Sequence, residues 1–143
     1  MLRIFGSLYR PFRGAGIKIV HVSDDYRDVK VEMALRWYNR NYVGTHFGGS
    51  LYSMTDPFYM LMLVKNLGQN YIVWDKSASI KYIKPGRTKV YANFHFTESE
   101  IQSIKEKADN QDKYIFDKSV DIFDEDKQLI ASVNKTLYVK KKG

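Results

Sequence analysis

Asp56 is the one acid in an otherwise uncharged, largely apolar stretch from Leu51 to Val64. A carboxylate among apolar groups costs free energy unless it is paired or lies in a cleft, where it can act as a general base. The dipeptide Asp56-Pro57 also has a structural interpretation, because Asp is a favoured helix N-cap and Pro is favoured at the first helical position. Local chemistry alone favours the cap, and both interpretations stay open at this point.

Two consecutive glycines, Gly48 and Gly49, precede this stretch. If a helix begins there, the N–H groups of Phe47, Gly48 and Gly49 have no acceptor within the helix and could bind an oxyanion. Glycine also lets a carbonyl group approach the backbone closely, since it has no Cβ. The structural alternative is that the glycines permit tight packing of a helix against a sheet.

Three basic residues, Lys81, Lys84 and Arg87, cluster around the turn sequence Pro85-Gly86. Lysine and arginine at such a turn could bind the phosphate groups of an anionic ligand. A strand end that is simply solvated explains the same pattern equally well.

Further candidates lie on the predicted strand before that turn and in the apolar stretch. Ser77 and Ser79 are predicted to share a strand face with Asp75 and could line a substrate channel. Asp75 itself is predicted to be solvated rather than a second catalytic acid. Tyr52 could line an apolar pocket, although core packing is the default role of such a side chain.

The composition predicts a single domain over residues 1–143, with a basic tail at 140–143. The net charge of +7 is spread among acids, without the dense basic stripe of a nucleic-acid-binding protein. Cysteine is absent, which excludes thiol chemistry, and the three histidines are too far apart for a local metal motif. No run is long enough for a membrane span, and a cytoplasmic location is the simplest expectation.

Alternation of apolar residues predicts six strands that surround one long buried helix beginning near Gly48 and stopped by Gly68 and Asn70. Residues 1–16 are expected to form an arm or short helix ended by Pro11 and Gly14. A capping box, Thr97 to Glu100, predicts a further helix. The predicted strands are Ile17–Val22, Asp28–Arg36, Tyr71–Lys84, Arg87–Phe96, Tyr114–Phe123 and Leu129–Val139. The fold class is therefore α+β, an antiparallel sheet wrapped around a central helix, with exposed edges that favour a dimer.

This order of elements, with Asn41, Gly44, Phe47-Gly48-Gly49 and Asp56 at their spacing, resembles the hotdog-fold acyl-CoA thioesterases. The similarity is to the phenylacetyl-CoA thioesterase type and a less characterised branch, and it spans residues 17–140. The strand leading into Pro85-Gly86 belongs to the same pattern. One position departs from it, because the family has His directly before Gly-Gly and this chain has Phe47, with His46 one place earlier.

The resemblance implies that Asp56 is the catalytic carboxylate, activating water or attacking directly, in a cleft shared with a second subunit. It implies that Gly48 and Gly49 supply oxyanion donors, that Asn41 orients the water or the thioester, and that Phe47 and Tyr52 contact substrate. His46 would either donate to the carbonyl or lie outside the site. The basic residues around Pro85-Gly86 would bind coenzyme A phosphates. No metal or organic cofactor is expected.

The expected substrate is thus an acyl-CoA or acyl-carrier thioester, and the expected assembly a homodimer or a dimer of dimers. A non-enzymatic acyl-binding or fatty-acid-binding module on the same fold is the first alternative, favoured by Phe47. A hotdog hydratase or dehydratase acting through His46 and Asp56 is the second. Nucleic-acid binding is a weaker third option.

Overall fold

The computed structural model describes residues 9–143, which form one six-stranded antiparallel sheet with four helices. The strand order is β1-β2-β4-β5-β6-β3. In chain order the elements are α1 (Arg10–Ala15), β1 (Ile17–Val22), β2 (Asp28–Met33), α2 (Gly48–Ser53), α3 (Phe58–Leu67), β3 (Tyr71–Tyr82), β4 (Val90–His95), α4 (Glu98–Asn110), β5 (Tyr114–Asp124) and β6 (Leu129–Lys141). The predicted α+β architecture is confirmed.

The core lies between one face of the sheet and the helices. Along β6, every second residue from Ala131 to Val139 is buried, as the two-residue period of a strand requires. Phe58, at the start of α3, is fully buried with its ring 5.0 Å from that of Phe94 on β4. We call this packed side of the sheet the inner face, and the opposite side the outer face.

The predicted single long helix is two helices, α2 and α3, separated by a turn over residues 54–57. Pro57 has no N–H to continue the hydrogen-bond ladder, and the residue before a proline is disfavoured in helical geometry, which accounts for the break. The Asp56–Pro57 peptide is cis. The N-cap position of α3 is Pro57 and no side chain caps it, so the capping interpretation of Asp56 was wrong.

Both ends of the chain differ from expectation. Helix α1 passes through Pro11 and Gly14, which were predicted to end it, because Pro is tolerated in the first turn of a helix; the helix ends at Gly16, with φ of +80°. The rest of the predicted N-terminal helix, at residues 1–8, lies outside the described residues. The first two of the four residues in the predicted basic tail are strand, since β6 continues to Lys141 opposite Tyr71.

Strand β3 contains a bulge that reverses the predicted side-chain pattern. Asp75 lies opposite Leu137 but Ser77 lies opposite Thr136, so Lys76 is an extra residue. Trp74 therefore points to the outer face, where it stacks on Tyr138, whereas Ala78 and Ile80 after the bulge lie on the side of the inner face, opposite Lys135 and Val133. The prediction that Ser77 and Ser79 share a face with Asp75 was wrong because a single bulged residue changes the phase of a strand.

The capping box is confirmed: the Thr97 side chain accepts from the Glu100 backbone and the Glu100 side chain accepts from the Thr97 backbone. Helix α4 buries Ile101, Ile104 and Ala108 against the rest of the molecule.

Candidate active site

A pocket of about 460 Å³ opens at the N-terminus of α2. One side is the loop before the helix together with its first residues, and the other is the end of β3 with the turn that follows. Its lining residues are Asn41, Thr45, His46, Phe47, Gly48, Gly49, Leu51, Tyr82, Ile83, Lys84, Pro85 and Gly86. The pocket thus brings together Asn41, His46, Phe47, Gly48, Gly49 and Lys84 of the residues proposed from the sequence.

Gly48 and Gly49 give the pocket two backbone donors. Their N–H groups make no hydrogen bond with any group of the described chain, whereas those of Ser50 and Leu51 bond to the Phe47 carbonyl. A Cβ at Gly48 would lie 2.9 Å from the hydroxyl oxygen of Tyr82, and one at Gly49 would lie 2.7 Å from the Phe47 ring. The glycines therefore allow Tyr82 and the Phe47 ring to pack closely against the start of α2, beside unpaired donors of the kind that can bind an oxyanion.

Asn41 organises the loop that forms one pocket wall. Its side-chain oxygen accepts from the backbone N–H groups of Val43 and Thr45, at 3.1 and 3.0 Å. Its amide nitrogen donates to the Thr45 hydroxyl at 2.9 Å and lies 3.4 Å from the His46 carbonyl. Much of its hydrogen-bonding capacity is thus used within the loop, so the structural role of Asn41 is to hold the approach to α2 in shape.

His46 is buried and lies against the Pro85-Gly86 turn, whose Gly86 carbonyl accepts from the His46 backbone N–H at 2.9 Å. Its Nε2 lies 2.7 Å from the Thr88 carbonyl, so Nε2 carries the proton and donates it. Burial lowers the pKa of His46, which favours the neutral ring. Nδ1 is then an acceptor, and it is buried without a partner in the described chain. In this state the ring has no donor to offer a thioester carbonyl.

Phe47 is more than half exposed, at 55%, although it is a large hydrophobic residue. It precedes α2 and its carbonyl accepts the first hydrogen bonds of the helix. Its ring lines the pocket beside Gly49. An exposed aromatic ring at this position gives the pocket an apolar rim.

Asp56 does not line this pocket; it lies beyond the other end of α2, in a charged cluster. Its Oδ1 is 3.4 Å from Nζ of Lys135, which is also 3.4 Å from Oδ2 of Asp75 and 3.4 Å from the Tyr52 hydroxyl. The Asp56 side chain is 47% exposed, whereas Lys135 is fully buried. We call Tyr52, Asp56, Asp75 and Lys135 the lysine cluster.

Two pKa shifts in the lysine cluster follow from its geometry. Burial raises the pKa of Asp75, and nearby Asp56 raises it further, while Lys135 opposes both. Burial acts to lower the pKa of Lys135, but the charges of Asp75 and Asp56 outweigh it and raise that pKa. The prediction of a solvated Asp75 was wrong: its side chain is 21% exposed and its Oδ1 is buried without a partner among the described groups.

Lys135 was not among the predicted site residues, although the alternation along β6 carries a signal for it. Ala131, Val133, Leu137 and Val139 alternate along β6 as inward residues, and Lys135 occupies the middle position of that series. A lysine in the phase of a buried strand face is unusual and indicates a buried counter-ion.

The remaining candidates lie apart from the pocket. Ser77, Ser79 and Lys81 are exposed on the outer face, opposite Thr136, Asn134 and Ser132. Arg87 is exposed just beyond the pocket lining. Lys84 is at the pocket, with Nζ 2.6 Å from the Gln128 side-chain oxygen.

Across residues 9–143, no helix has the length and apolar character needed to cross a bilayer. The same residues contain no group of three or more His, Cys, Asp or Glu side chains placed to hold a metal ion.

Several solved structures are similar to this chain. A protein of Pseudomonas aeruginosa described as a probable thioesterase superposes with a TM-score of 0.85 at 13% identity, covering 97% of this chain and 93% of that one. A thioesterase of Haemophilus influenzae has a TM-score of 0.70 at 17% identity, over 98% and 88% of the two chains. The PaaI protein of the E. coli phenylacetic acid degradation operon has a TM-score of 0.64 at 14% identity, over 99% and 91%.

At such identities these likenesses establish the fold, and the predicted hotdog architecture is confirmed. A search of curated proteins finds no match. The model of one family, a domain of unknown function designated DUF4442, matches residues 1–139. This chain, with its pocket at the start of α2 and its lysine cluster beyond the end of that helix, belongs to the DUF4442 family.

Proposed function

We propose that this protein is a thioesterase that hydrolyses an acyl-CoA or acyl-carrier thioester. The observation that carries the proposal is the pocket at the start of α2, in which the N–H groups of Gly48 and Gly49 find no acceptor among residues 9–143. Two convergent backbone donors in a pocket can stabilise the negative charge that develops on a thioester oxygen, and each such donor is typically worth about 3–4 kcal/mol in the transition state. The likeness to proteins described as thioesterases supports the same reaction.

In the proposed reaction, the thioester carbonyl oxygen lies against the N–H groups of Gly48 and Gly49. Asp56 removes a proton from water as the water oxygen attacks the carbonyl carbon. The carbon–sulfur bond then breaks, and the proton passes to the leaving thiolate. The products are a carboxylic acid and a free thiol.

The carboxylate in this scheme comes from a second copy of the chain. Asp56 does not line the pocket of its own chain, and a short helix, α2, separates the two. Strand β3 lies at the sheet edge, with one side of its 12 residues unpaired in the described chain. Pairing of β3 with a second copy would satisfy that edge and would bring two chains together near both groups.

Lys84 and the nearby Arg87 are the proposed contacts for the phosphates of coenzyme A. Lys84 lines the pocket on the side away from α2, and both side chains are exposed. The net charge of +7 favours approach of an anionic substrate.

The test is release of free thiol from a panel of acyl-CoA thioesters by wild type and by Asp56→Asn. General base catalysis typically contributes 10²–10⁴-fold, so the isosteric variant should lose about 100-fold or more of kcat/KM. Asp112→Asn is the matched control, since that side chain is 85% exposed and outside both the pocket and the lysine cluster. Equal turnover by wild type and Asp56→Asn would remove Asp56 from the mechanism.

A non-enzymatic acyl-binding module is the second candidate, and Phe47 favours it. The exposed Phe47 ring offers an apolar contact where the related enzymes have a histidine. Saturable binding of acyl-CoA with no thiol release at any chain length would establish this function in place of hydrolysis. Conversion of an enoyl thioester would instead indicate a hydratase.

A further inference from the structure

We propose that Lys135 is a positioning residue for Asp56: its ammonium group binds one carboxylate oxygen and so directs the other outward. The inference rests on the proposed function, in which Asp56 is the catalytic carboxylate. It adds a residue that neither the sequence motif nor the fold assigns.

The position of Lys135 requires a specific partner. It lies on the inner face of β6 and is the only Asp, Glu, Lys or Arg among the fully buried residues that the structure describes. An ammonium group removed from water costs several kcal/mol unless it is compensated. A lysine is therefore stable at this position only if anionic or polar groups surround its Nζ.

Three side-chain oxygen atoms surround Lys135 Nζ. Nζ has three donors, and the Tyr52 hydroxyl, Asp56 Oδ1 and Asp75 Oδ2 each lie 3.4 Å from it. The ring of Tyr52 also lies under the ammonium group, at 5.2 Å. Each contact comes from a different element: α2, the turn before α3, and β3. Lys135 thus connects the turn that carries Asp56 to the sheet.

The consequence for Asp56 is an asymmetry between its two oxygens. Oδ1 is held by Lys135, whereas Oδ2 receives no hydrogen bond from any of residues 9–143. The side chain is nearly half exposed, at 47%, so Oδ2 is available to a water or a substrate. A carboxylate held through one oxygen has lost the rotational freedom that would otherwise misalign the other.

Asp75 completes the arrangement as a second carboxyl contact of Lys135. Without it, one buried ammonium would face one half-exposed carboxylate; with it, Lys135 has a second and more buried anionic partner. The bulge at Lys76 is what directs Asp75 inward, opposite Leu137. Asp75 holds Lys135, and Lys135 holds Asp56.

A purely structural ion pair is the competing explanation, and the chain supplies a matched control for it. Lys118 lies directly opposite Lys135 in the β5–β6 ladder, on the same face, with Nζ 2.7 Å from Glu100 on α4. Its side chain is 19% exposed, and its Nζ lies beside Glu100 and over the rings of Tyr59 and Phe96, none of which belongs to the lysine cluster. Lys118→Met therefore removes a similar lysine and ion pair without touching Asp56.

The first measurement is kcat and KM for thiol release from the best acyl-CoA substrate by wild type, Lys135→Met, Lys135→Gln and Lys118→Met. Misplacement of a catalytic group costs about 100-fold, so kcat should fall by that order in both Lys135 variants, with KM within about twofold. Lys118→Met should retain wild-type kcat. Unchanged kcat in a folded Lys135 variant overturns the proposal. If both Lys135 variants fail to fold, the substitute is Asp75→Asn, which removes the carboxylate on the β3 side of Lys135 Nζ. This variant must lower kcat without a matching change in KM.

A second measurement does not depend on turnover. The free energy of unfolding is compared for wild type, Asp56→Asn, Lys135→Gln and the double variant at pH 7. If Lys135 holds Asp56, the loss in the double variant is smaller than the sum of the two single losses. Additive losses overturn the positioning role. Absence of turnover by wild type, with coupling retained, would refute the proposed thioesterase function and leave the contact established.

Discussion

The two ends of α2 offer opposite chemistry within six residues. At the N-terminal end, glycine donors and the neutral His46 ring surround an open pocket with an aromatic rim. Beyond the C-terminal end, a buried lysine, two carboxyl groups and a phenol form a charged cluster. Within residues 9–143, the first end has unpaired glycine donors in a pocket and no acid among its lining residues, whereas the second has the acid, and the unpaired N–H groups next to it, those of Phe58, Tyr59 and Met60 at the start of α3, lie outside that pocket.

For the proposed thioesterase reaction, this difference favours a site completed by two copies of the chain. A thioesterase needs donors for the oxyanion and a carboxylate for water at the same carbonyl carbon, and a single chain places them at separate ends of a helix. Two copies related by a two-fold axis can bring unlike ends together, and symmetry then produces two equal sites.

Complementation between inactive variants is the strongest test of that arrangement. Gly48→Val would fill the space between α2 and the Tyr82 ring, and Asp56→Asn would remove the carboxylate. Each variant alone should lose almost all thiol release, because both sites of its dimer are damaged. Mixed after unfolding and refolding together, they should recover about a quarter of wild-type activity, since half of the dimers are mixed and each of these has one intact site.

The control for complementation is each variant refolded alone, with circular dichroism to verify that it folds. If Gly48→Val does not fold, Gly48→Ala is the substitute. A refolded mixture no more active than its components would mean that the donors and the acid act within one chain, and the two ends of α2 would then not be separate halves of a site.

The neutral state of the buried His46 ring, at the N-terminal end of α2, can be tested through the pH dependence of stability. Because burial lowers its folded pKa below the ordinary value of 6.5, the unfolded chain takes up a proton that the folded chain does not as the pH falls through 6.5. Wild type should therefore lose stability in that range relative to His46→Gln, by about 1.4 kcal/mol per pH unit at most. Urea unfolding from pH 7.5 to pH 5 measures this, and a pH-independent difference between the two proteins would contradict it.

The contribution of Asp75, in the lysine cluster, to the free energy of unfolding should depend on pH in the opposite sense. The folded pKa of Asp75 lies above its ordinary value of 3.8, so the folded chain retains a proton that the unfolded chain has released as the pH rises past that value. The stability of wild type relative to Asp75→Asn should fall as the pH rises through this window. Paired urea titrations from pH 3.5 upward would reveal the slope, and a rise instead of a fall would show that pairing with Lys135 outweighs burial.

Tyr52→Phe should give the smallest effect. The variant loses a contact of 3.4 Å between the hydroxyl and Lys135 Nζ but keeps the ring beneath the ammonium group. A long hydrogen bond of this kind contributes about 0.5–1 kcal/mol to the free energy of unfolding, and kcat should stay within about twofold of wild type. A large loss of kcat would mean that Tyr52 takes part in the reaction and that the charged end does more than hold Asp56.

The strands and the capping box were predictable because both depend on neighbours in sequence. Six strands follow from two-residue alternation, and the Thr97–Glu100 box is read directly from its spacing. The break between α2 and α3 at Pro57 could also have been predicted, since the effect of proline on a helix is local. The apolar run nevertheless favoured one continuous helix.

The lysine cluster was not predictable in the same way. Its acids are Asp56 and Asp75, and Lys135 is 79 residues from the first of them. Only the β3–β6 register joins these positions, and that register depends on a bulge that alternation cannot locate. The pocket was easier to predict, because most of its proposed residues lie between Asn41 and Gly49 in one segment.

Because Lys76 is an extra residue in β3, the faces on which the β3 side chains lie depend on the number of residues in the strand more than on their identity. With the bulge, Asp75 and Ala78 lie on the same side of the sheet, because Asp75 is opposite Leu137 and Ala78 is opposite Lys135. A chain lacking this one residue would have a regular ladder, and either the acid or the second half of the strand would have to turn to the outer face. Within this strand, substitutions change single contacts, but a one-codon deletion would separate the acid from the lysine or exchange the faces of all the residues after it. Variation among functional relatives is therefore expected in the identity of residue 76 and not in its presence.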